Sequence, residues 1–166
     1  MFIWQLFLQT LRAKPTLVKF VLVGGTGYFV YQLLLFATYD WSLLWFLPEK
    51  GVSARVIFFD HGDVRLLFST LVAAEISIVF VFGGHNLWTF RDRVQAHRPL
   101  MHRFGVFQAN QLISALGILT VIVNVLTVRF GFYHFMAAPF GVAAAASWNW
   151  LWDTQVIWRR ARRDAP

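Results

Sequence analysis

The stretch that decides the fold runs from Leu66 to Phe90 and reads LLFSTLVAAEISIVFVFGGHNLWTF, with Glu75 as its single charged residue. About 20 mostly apolar residues are enough to cross the hydrocarbon core of a bilayer as a helix. Backbone N–H and C=O groups cannot stay unpaired in hydrocarbon, so a run of this length has to be helical there. The stretch therefore predicts a transmembrane helix.

Three more apolar runs carry no charged residue: Phe20–Tyr39, Phe104–Val128 and Phe130–Trp152. The chain is 58% hydrophobic and 14% charged, whereas soluble domains carry about a quarter charged residues. We predict a single all-α integral membrane domain over residues 1–166, built from four transmembrane helices. Their predicted bounds are about 17–39, 66–90, 104–128 and 132–158.

Residues 1–13 mix large apolar side chains with Gln9 and Arg12 over a length too short to span a bilayer. We expect a short interfacial helix on the inner leaflet that ends near Lys14-Pro15. An extension of the first transmembrane helix is the alternative.

Lysine and arginine are unevenly distributed among the segments that flank the four apolar runs. Eleven of them precede the first helix, join the second to the third, or follow the fourth, and four (Lys50, Arg55, Arg65 and Arg129) lie in the other two connections. The positive-inside rule places the richer side in the cytoplasm. We predict a multi-pass protein of the cytoplasmic (inner) membrane with cytoplasmic N- and C-termini and an external loop at residues 40–65.

The two halves of the chain resemble each other. Lys19-Phe20 opens the first pair of helices and Arg103-Phe104 opens the second, and the pairs close with Trp88-Thr89-Phe90-Arg91 and Val156-Ile157-Trp158-Arg159. Because each unit contains two helices, both units keep the same orientation in the membrane. The sequence thus predicts two hairpins related as a parallel repeat.

The chain also contains several short motifs along its length: Lys19-Phe20 with Val23-Gly24 and Gly27, Glu75-Ile76-Ser77, Asn86-Leu87-Trp88-Thr89-Phe90-Arg91-Asp92, Arg103-Phe104, and Asn149. With them the chain resembles GtrA-like membrane proteins, which also occur fused to polyprenyl- or dolichyl-phosphate sugar synthases, including enzymes like dolichyl-phosphate mannose synthase. The likeness covers nearly the whole chain except the long loop at 40–65. His85 stands where the family pattern leads us to expect asparagine, and Val156 stands where a tryptophan would complete the second repeat.

The resemblance implies a role in cell-surface polysaccharide synthesis or glycosylation. Such proteins translocate a polyprenyl-phosphate-linked sugar across the membrane, or they support the glycosyltransferase that makes it. The implied partners are this lipid-linked sugar, membrane lipids, a membrane-associated glycosyltransferase and further copies of the chain.

Glu75 is the sharpest polar signal inside a predicted helix, since a carboxylate near mid-bilayer costs several kcal/mol unless it is protonated, paired or hydrated. It shares a helix face with Asn86, about 16 Å away. In one interpretation Glu75 lines a polar path for a sugar or a proton. In the other it is a structural carboxyl that bonds to a neighbouring helix, for example to Gln108, Asn110 or Gln111.

Amides and carboxylates suit sugar hydroxyls, because they orient and satisfy both donors and acceptors. The same groups also hold membrane helices together, at roughly 0.6 kcal/mol per contact. The candidate residues for the polar path are Glu75, His85, Asn86, Trp88, Gln108, Gln111, Asn149 and Asp153.

A lipid phosphate is anionic, and arginine can bind it bidentately. The candidate residues for the phosphate are Lys19, Arg91, Arg93, Arg103 and Arg159, with Arg91 and Arg103 favoured because they sit at corresponding repeat ends. Charge that only sets membrane orientation is the alternative.

Other classes of function find little support in the sequence. His85, His97 and His102 follow no zinc spacing, and the basic residues form no extended face for nucleic acid. No stretch outside the membrane is long enough for a nucleotide-sugar domain. We expect no metal, no cofactor, no nucleic acid partner and no enzyme activity.

Three functions remain, and translocation (flipping) of the lipid-linked sugar ranks first. The second is a membrane anchor or regulator of a glycosyltransferase, without transport. The third is a small proton-coupled multidrug exporter, which the strong orientation bias and the place of Glu75 in the second helix disfavour.

Overall fold

The computed structural model describes residues 15–41, 43–56, 59–93, 99–132 and 134–159. Within these ranges there are four long helices, and a two-stranded hairpin lies between the first and the second. Helix α1 comprises Pro15–Leu35 and a wider, π-helical turn at Phe36–Asp40. Helix α2 comprises Val64–Gly84 and a π-helical turn at His85–Thr89, and a short 3₁₀ turn follows at Arg91–Arg93.

The second pair of helices is built in the same way. Helix α3 begins with Leu100–Leu112 and continues through Ile113–Leu119, Thr120–Asn124 and Val125–Arg129, where α-helical and π-helical segments alternate. Helix α4 comprises His134–Trp152 and a π-helical turn at Asp153–Ile157. The second helix of each pair therefore ends in a π-helical turn of five residues, as expected for a repeat.

The loop between α1 and α2 contains a short antiparallel sheet. Strand β1 (Ser53–Val56) pairs with β2 (Phe59–Asp63), with Ser53 opposite Asp63 and Val56 opposite Phe59. The carboxyl of Asp63 caps α2 by accepting a hydrogen bond from the N–H of Leu66 at 2.9 Å. This sheet lies in the connecting loop, whereas the described residues expected in the membrane are helical except at the ends of the predicted spans.

The chain divides into two compact units, Met1–His85 and Asn86–Pro166. In the first unit, α1 and α2 pack antiparallel at close range. The hydroxyl of Ser77 donates to the carbonyl of Gly27 at 2.6 Å, and a Cβ added at Gly84 would lie 2.8 Å from Val23 Cγ1. Small residues permit this approach, as is usual between membrane helices.

In the second unit, α3 and α4 also pack antiparallel and close. A Cβ added at Gly141 would lie 2.8 Å from Leu119 Cδ1 and 3.2 Å from the Leu119 carbonyl oxygen. Further along, Asn149 of α4 bonds to Asn110 of α3. Both units are thus helical hairpins with a small residue at the crossing, so the predicted division into two hairpins agrees with the structure.

Three helices are long and apolar enough to cross a membrane, at Pro15–Asp40, Val64–Thr89 and Leu100–Asn124, and α4 is the fourth helix of the described chain. The predicted fold class, a four-helix integral membrane protein, is confirmed. The interfacial helix expected at residues 1–13 lies outside the described residues. The single domain over residues 1–166, the inner membrane and the orientation stay predictions.

Candidate functional site

In contrast to a soluble protein, the described part of this chain exposes many large apolar side chains and buries polar ones. Large apolar residues such as Phe29, Leu116 and Met136 are exposed, which suits contact with hydrocarbon. The interior, in contrast, holds as many polar as apolar side chains. The buried polar residues are Thr38, Arg65, Ser69, Ser77, His85, Thr89, Arg103, Asn110, Ser114 and Asp153.

An amide network joins α3 to α4 in the second hairpin. The Nδ2 of Asn110 donates to Asn149 Oδ1 at 3.0 Å, and Trp148 Nε1 donates to Asn110 Oδ1 at 2.8 Å. Asn149 Nδ2 then donates to Gln111 Oε1 at 3.4 Å. Since Asn110 and Gln111 lie on one helix and Trp148 and Asn149 on the other, the network fixes the register between the two helices.

Arg103 lies in the first turns of α3 and is buried, with 6% of its surface exposed. Its Nη1 donates to Asn86 Oδ1 at 2.5 Å, whereas its Nε is buried and has no hydrogen-bond partner in the described chain. The guanidinium is thus held in place at one end and keeps an unused donor. A positioned arginine of this kind can bind a phosphate oxygen.

Asp153 is the most deeply buried ionisable side chain among the described residues of the second hairpin, with 0% exposure. Neither carboxylate oxygen has a hydrogen-bond partner among the described residues. A polar group buried in this way costs free energy until a donor reaches it. Asp153 therefore has the chemistry of a group that receives a donor from a ligand, such as a sugar hydroxyl.

Aromatic rings connect the two repeat ends within the second unit. Phe90 stacks on Trp158 with ring centroids 4.7 Å apart, and Phe107 meets Trp158 edge-on at 6.0 Å. Arg93 places its guanidinium carbon 5.6 Å from the Phe90 ring centre. The aromatic residues of the two closing motifs thus form one buried cluster, with exposed arginines following directly in sequence at Arg91 and Arg159.

The other predicted site residues lie apart from this arrangement or at its edge. Glu75 is exposed on the surface of the first unit, where His85 is buried and stacks on Phe20 at 4.8 Å. Lys19, also in the first unit, is half-buried. In the second unit, Trp88 is 48% exposed. Gln108 and Gln111 are half-buried on α3.

Two pairs of predicted site residues are therefore in direct contact: Asn86 with Arg103, and Asn149 with Gln111. Sequence reasoning left Asn110 and Trp148 out of the candidate set, although Asn110 stands between the two chosen glutamines. It also missed the buried aromatic cluster of Phe90, Phe107 and Trp158, although Phe90 and Trp158 belong to the motifs that close the two repeats. Within the described ranges, no three histidine, aspartate or glutamate side chains lie close enough to hold a metal ion.

These features define a class: a small membrane protein of two helical hairpins, with apolar surfaces outside and charged and amide side chains inside. Residues 19–158 match the family described as the GtrA/DPMS transmembrane domain. The chain belongs to this family, so the predicted resemblance is confirmed. It is a membrane protein of lipid-linked sugar pathways, and such a small membrane domain is typically non-catalytic. Comparison with curated proteins and with solved structures gave no match.

Proposed function

We propose that the protein translocates a polyprenyl-phosphate-linked sugar from one leaflet of the cytoplasmic membrane to the other. One observation carries the proposal above all. The second hairpin holds a buried carboxyl group, that of Asp153, whose two oxygens have no partner among the described residues. A membrane protein has little reason to keep such a group unless a polar ligand visits it.

The polar groups of the second hairpin match the parts of this ligand. Sugar hydroxyls donate to a carboxylate such as Asp153 and exchange hydrogen bonds with the amides of Asn149 and Gln111. The phosphate suits the unused donor of Arg103. The exposed cations Arg91 and Arg159 raise the local concentration of an anionic headgroup before it binds.

The outer surface of the helices suits the rest of the ligand. A polyprenyl tail is pure hydrocarbon, and the exposed side chains of Leu116 and Met136 are apolar, so the tail stays in the bilayer while the head moves. The polar interior lowers the free energy of the headgroup relative to bare hydrocarbon. In this proposal no energy source is needed, and the lipid moves down its concentration gradient.

We extend the proposal to a homo-oligomer, because Glu75 is exposed in the single chain. Carboxylates within membrane helices usually face a bundle interior or a water-filled cavity rather than lipid. A second copy against this face of α2 would enclose Glu75 and complete a polar path of larger volume than two hairpins provide.

The test is transport by the purified protein. A labelled polyprenyl-phosphate sugar is placed in one leaflet of liposomes, and its appearance in the other leaflet is followed with and without the protein. Translocation above that of empty liposomes supports the proposal. If liposomes with protein match empty ones for several sugars, the chain is not a flippase. The alternative function, an anchor or regulator of a glycosyltransferase, then becomes the leading hypothesis.

A further inference from the structure

Arg65, in the first turn of α2, is a buried cation that the proposed function does not use. It is 6% exposed. Its Nη1 donates to the carbonyl of Pro48 at 3.3 Å, while Nε and Nη2 are buried without a hydrogen-bond partner in the described part of the chain. Nε and Nη2 lie along one edge of the planar guanidinium. That edge is the fork with which arginine binds a carboxylate or phosphate through two parallel hydrogen bonds.

Two acidic residues of the described part of the loop, Asp63 and Asp40, are engaged elsewhere. The Asp63 carboxyl accepts hydrogen bonds from the Leu66 N–H, the Gly51 N–H at 3.0 Å and the Tyr39 hydroxyl at 2.9 Å. Asp40 forms an ion pair with Lys50 at 2.7 Å. Glu49 is exposed, and no hydrogen bond joins it to the Arg65 guanidinium within the described chain. Among the described residues, the charge of Arg65 is therefore buried without a carboxylate bonded to it, an arrangement that is costly until an anion arrives.

A second buried donor lies on the same face of α2. Ser69 is four residues, or about one helical turn, beyond Arg65. It has 0% exposure, and its hydroxyl oxygen lacks a hydrogen-bond partner within the described ranges. The fork supplies two buried donors without a partner in the described chain, and Ser69 adds a third on the same face of the helix.

The surrounding loop holds Arg65 in position. Lys50, which is paired with Asp40, also lies 4.7 Å from the centre of the Tyr39 ring, and Tyr39 in turn bonds to Asp63. These contacts fasten the loop segment next to Pro48, the residue that receives the Arg65 Nη1 hydrogen bond. The fork is preorganised, so an anion would bind without the cost of ordering the side chain.

The position of Arg65 along α2 points to the chemistry of the ligand. The helix Val64–Thr89 has 26 residues and is therefore about 39 Å long, which exceeds the hydrocarbon core of about 30 Å. The first turn of α2 thus reaches the headgroup level of the leaflet on the side of the β1–β2 loop. The anions fixed at this level are the phosphate groups of lipids.

We infer that Arg65 and Ser69 form a phosphate-binding site at the loop end of the first hairpin. Its ligand is a phosphate, carried by a lipid headgroup or free in solution. The site rests on residues of the first hairpin alone, so it stands whether or not the protein translocates a lipid-linked sugar.

The test measures binding to the full-length chain purified in a neutral detergent. Native mass spectrometry counts the molecules of phosphatidic acid bound, with phosphatidylcholine as the zwitterionic comparison and inorganic phosphate as a separate titration. Arg65→Gln should weaken one binding event by about tenfold or more, because a charge-assisted pair of hydrogen bonds is lost. Arg65→Lys keeps the charge but loses the fork, and we expect binding between that of wild type and Arg65→Gln.

Two further variants make the result decisive. Arg129→Gln removes the same charge from an exposed position at the end of α3, and binding should not change. Ser69→Ala removes a hydroxyl without a partner in the described chain, so the protein should fold normally while phosphate binding weakens a few-fold. Ser69→Ala therefore decides the question even if Arg65→Gln does not fold.

The outcomes separate the two phosphate sources. Arg65-dependent binding of phosphatidic acid alone identifies a lipid headgroup as the ligand, and Arg65-dependent binding of inorganic phosphate identifies a site for the free ion. The inference is wrong if Ser69→Ala or a folded Arg65→Gln binds phosphate like wild type, or if Arg129→Gln loses as much binding as either variant.

Discussion

Gly27 offers the clearest test of how the first hairpin packs. A Cβ at this position would collide with the Val81 side chain and lie 3.7 Å from Ser77 Oγ. For Gly27→Ala the helices have to separate or Val81 has to leave its rotamer, and overpacking of this kind costs about 1–3 kcal/mol. Separation would also lengthen the 2.6 Å hydrogen bond from Ser77 to the Gly27 carbonyl.

Gly24→Ala is the matched control, because a Cβ added there meets nothing within 4 Å. Both substitutions gain the same helix propensity, up to about 1 kcal/mol. The difference in unfolding free energy between Gly27→Ala and Gly24→Ala therefore isolates the clash. We expect Gly27→Ala to be less stable by about 1–3 kcal/mol, measured by reversible unfolding in mixed micelles.

Val81→Ala provides the rescue. In the Gly27→Ala background it removes the atoms that the new methyl group meets, so the double variant should recover most of the lost stability, and the double-mutant cycle should give a favourable coupling. Equal stability of Gly27→Ala and Gly24→Ala would refute the close packing of α1 on α2. A cycle without coupling would refute the assignment of the clash to Val81.

Two further predictions concern the second unit and the loop. Phe90→Ala should lower the unfolding free energy by about 3–5 kcal/mol and change the fluorescence of Trp158, on which Phe90 stacks. The control, Phe29→Ala at an exposed position, should change the unfolding free energy little. Equal effects of the two substitutions would contradict the buried aromatic cluster. The Leu66 N–H, with the Gly51 N–H and the Tyr39 hydroxyl, holds the pKa of the Asp63 carboxyl below its usual range. The stability that Asp63 contributes is thus present at neutral pH and lost as the pH falls through its pKa in the folded protein. The difference in melting temperature between wild type and Asp63→Asn should shrink on acidification, and a difference independent of pH would show that the carboxylate is not the stabilising form.

Much of the fold could be predicted because lipid imposes a simple rule on sequence. The long apolar runs at Phe20–Tyr39 and Leu66–Phe90 had to be helices, and the helices are where the runs predict them. The repeated aromatic-basic endings also predicted two similar hairpins. The β1–β2 sheet was missed because the apolar runs of the loop are short, and a short apolar run does not distinguish a strand from other backbone conformations.

The site was harder to predict, since hydropathy does not tell which side of a helix faces inward. Glu75 was predicted to line the polar path because it lies in the middle of a helix, yet its side chain is exposed. Asp153, near the end of α4, is fully buried. Arg65 looked like one more charge in a loop connection. Its burial depends on the fold of the loop around Pro48, a tertiary arrangement that has no local signal in the sequence.

The most direct test of the central claim compares Asp153→Asn with Asp92→Asn in the liposome assay. Both replace aspartate by asparagine, but Asp92 is exposed and Asp153 is buried. Because the Asp153 oxygens have no partner in the described chain, the change should not unfold the protein, which its melting temperature will verify. We predict that wild type and Asp92→Asn transfer a labelled polyprenyl-phosphate sugar between leaflets at the same rate, and that Asp153→Asn is slower by about tenfold or more. If Asp153→Asn transfers the lipid as fast as wild type, the headgroup does not cross through the polar interior of the second hairpin.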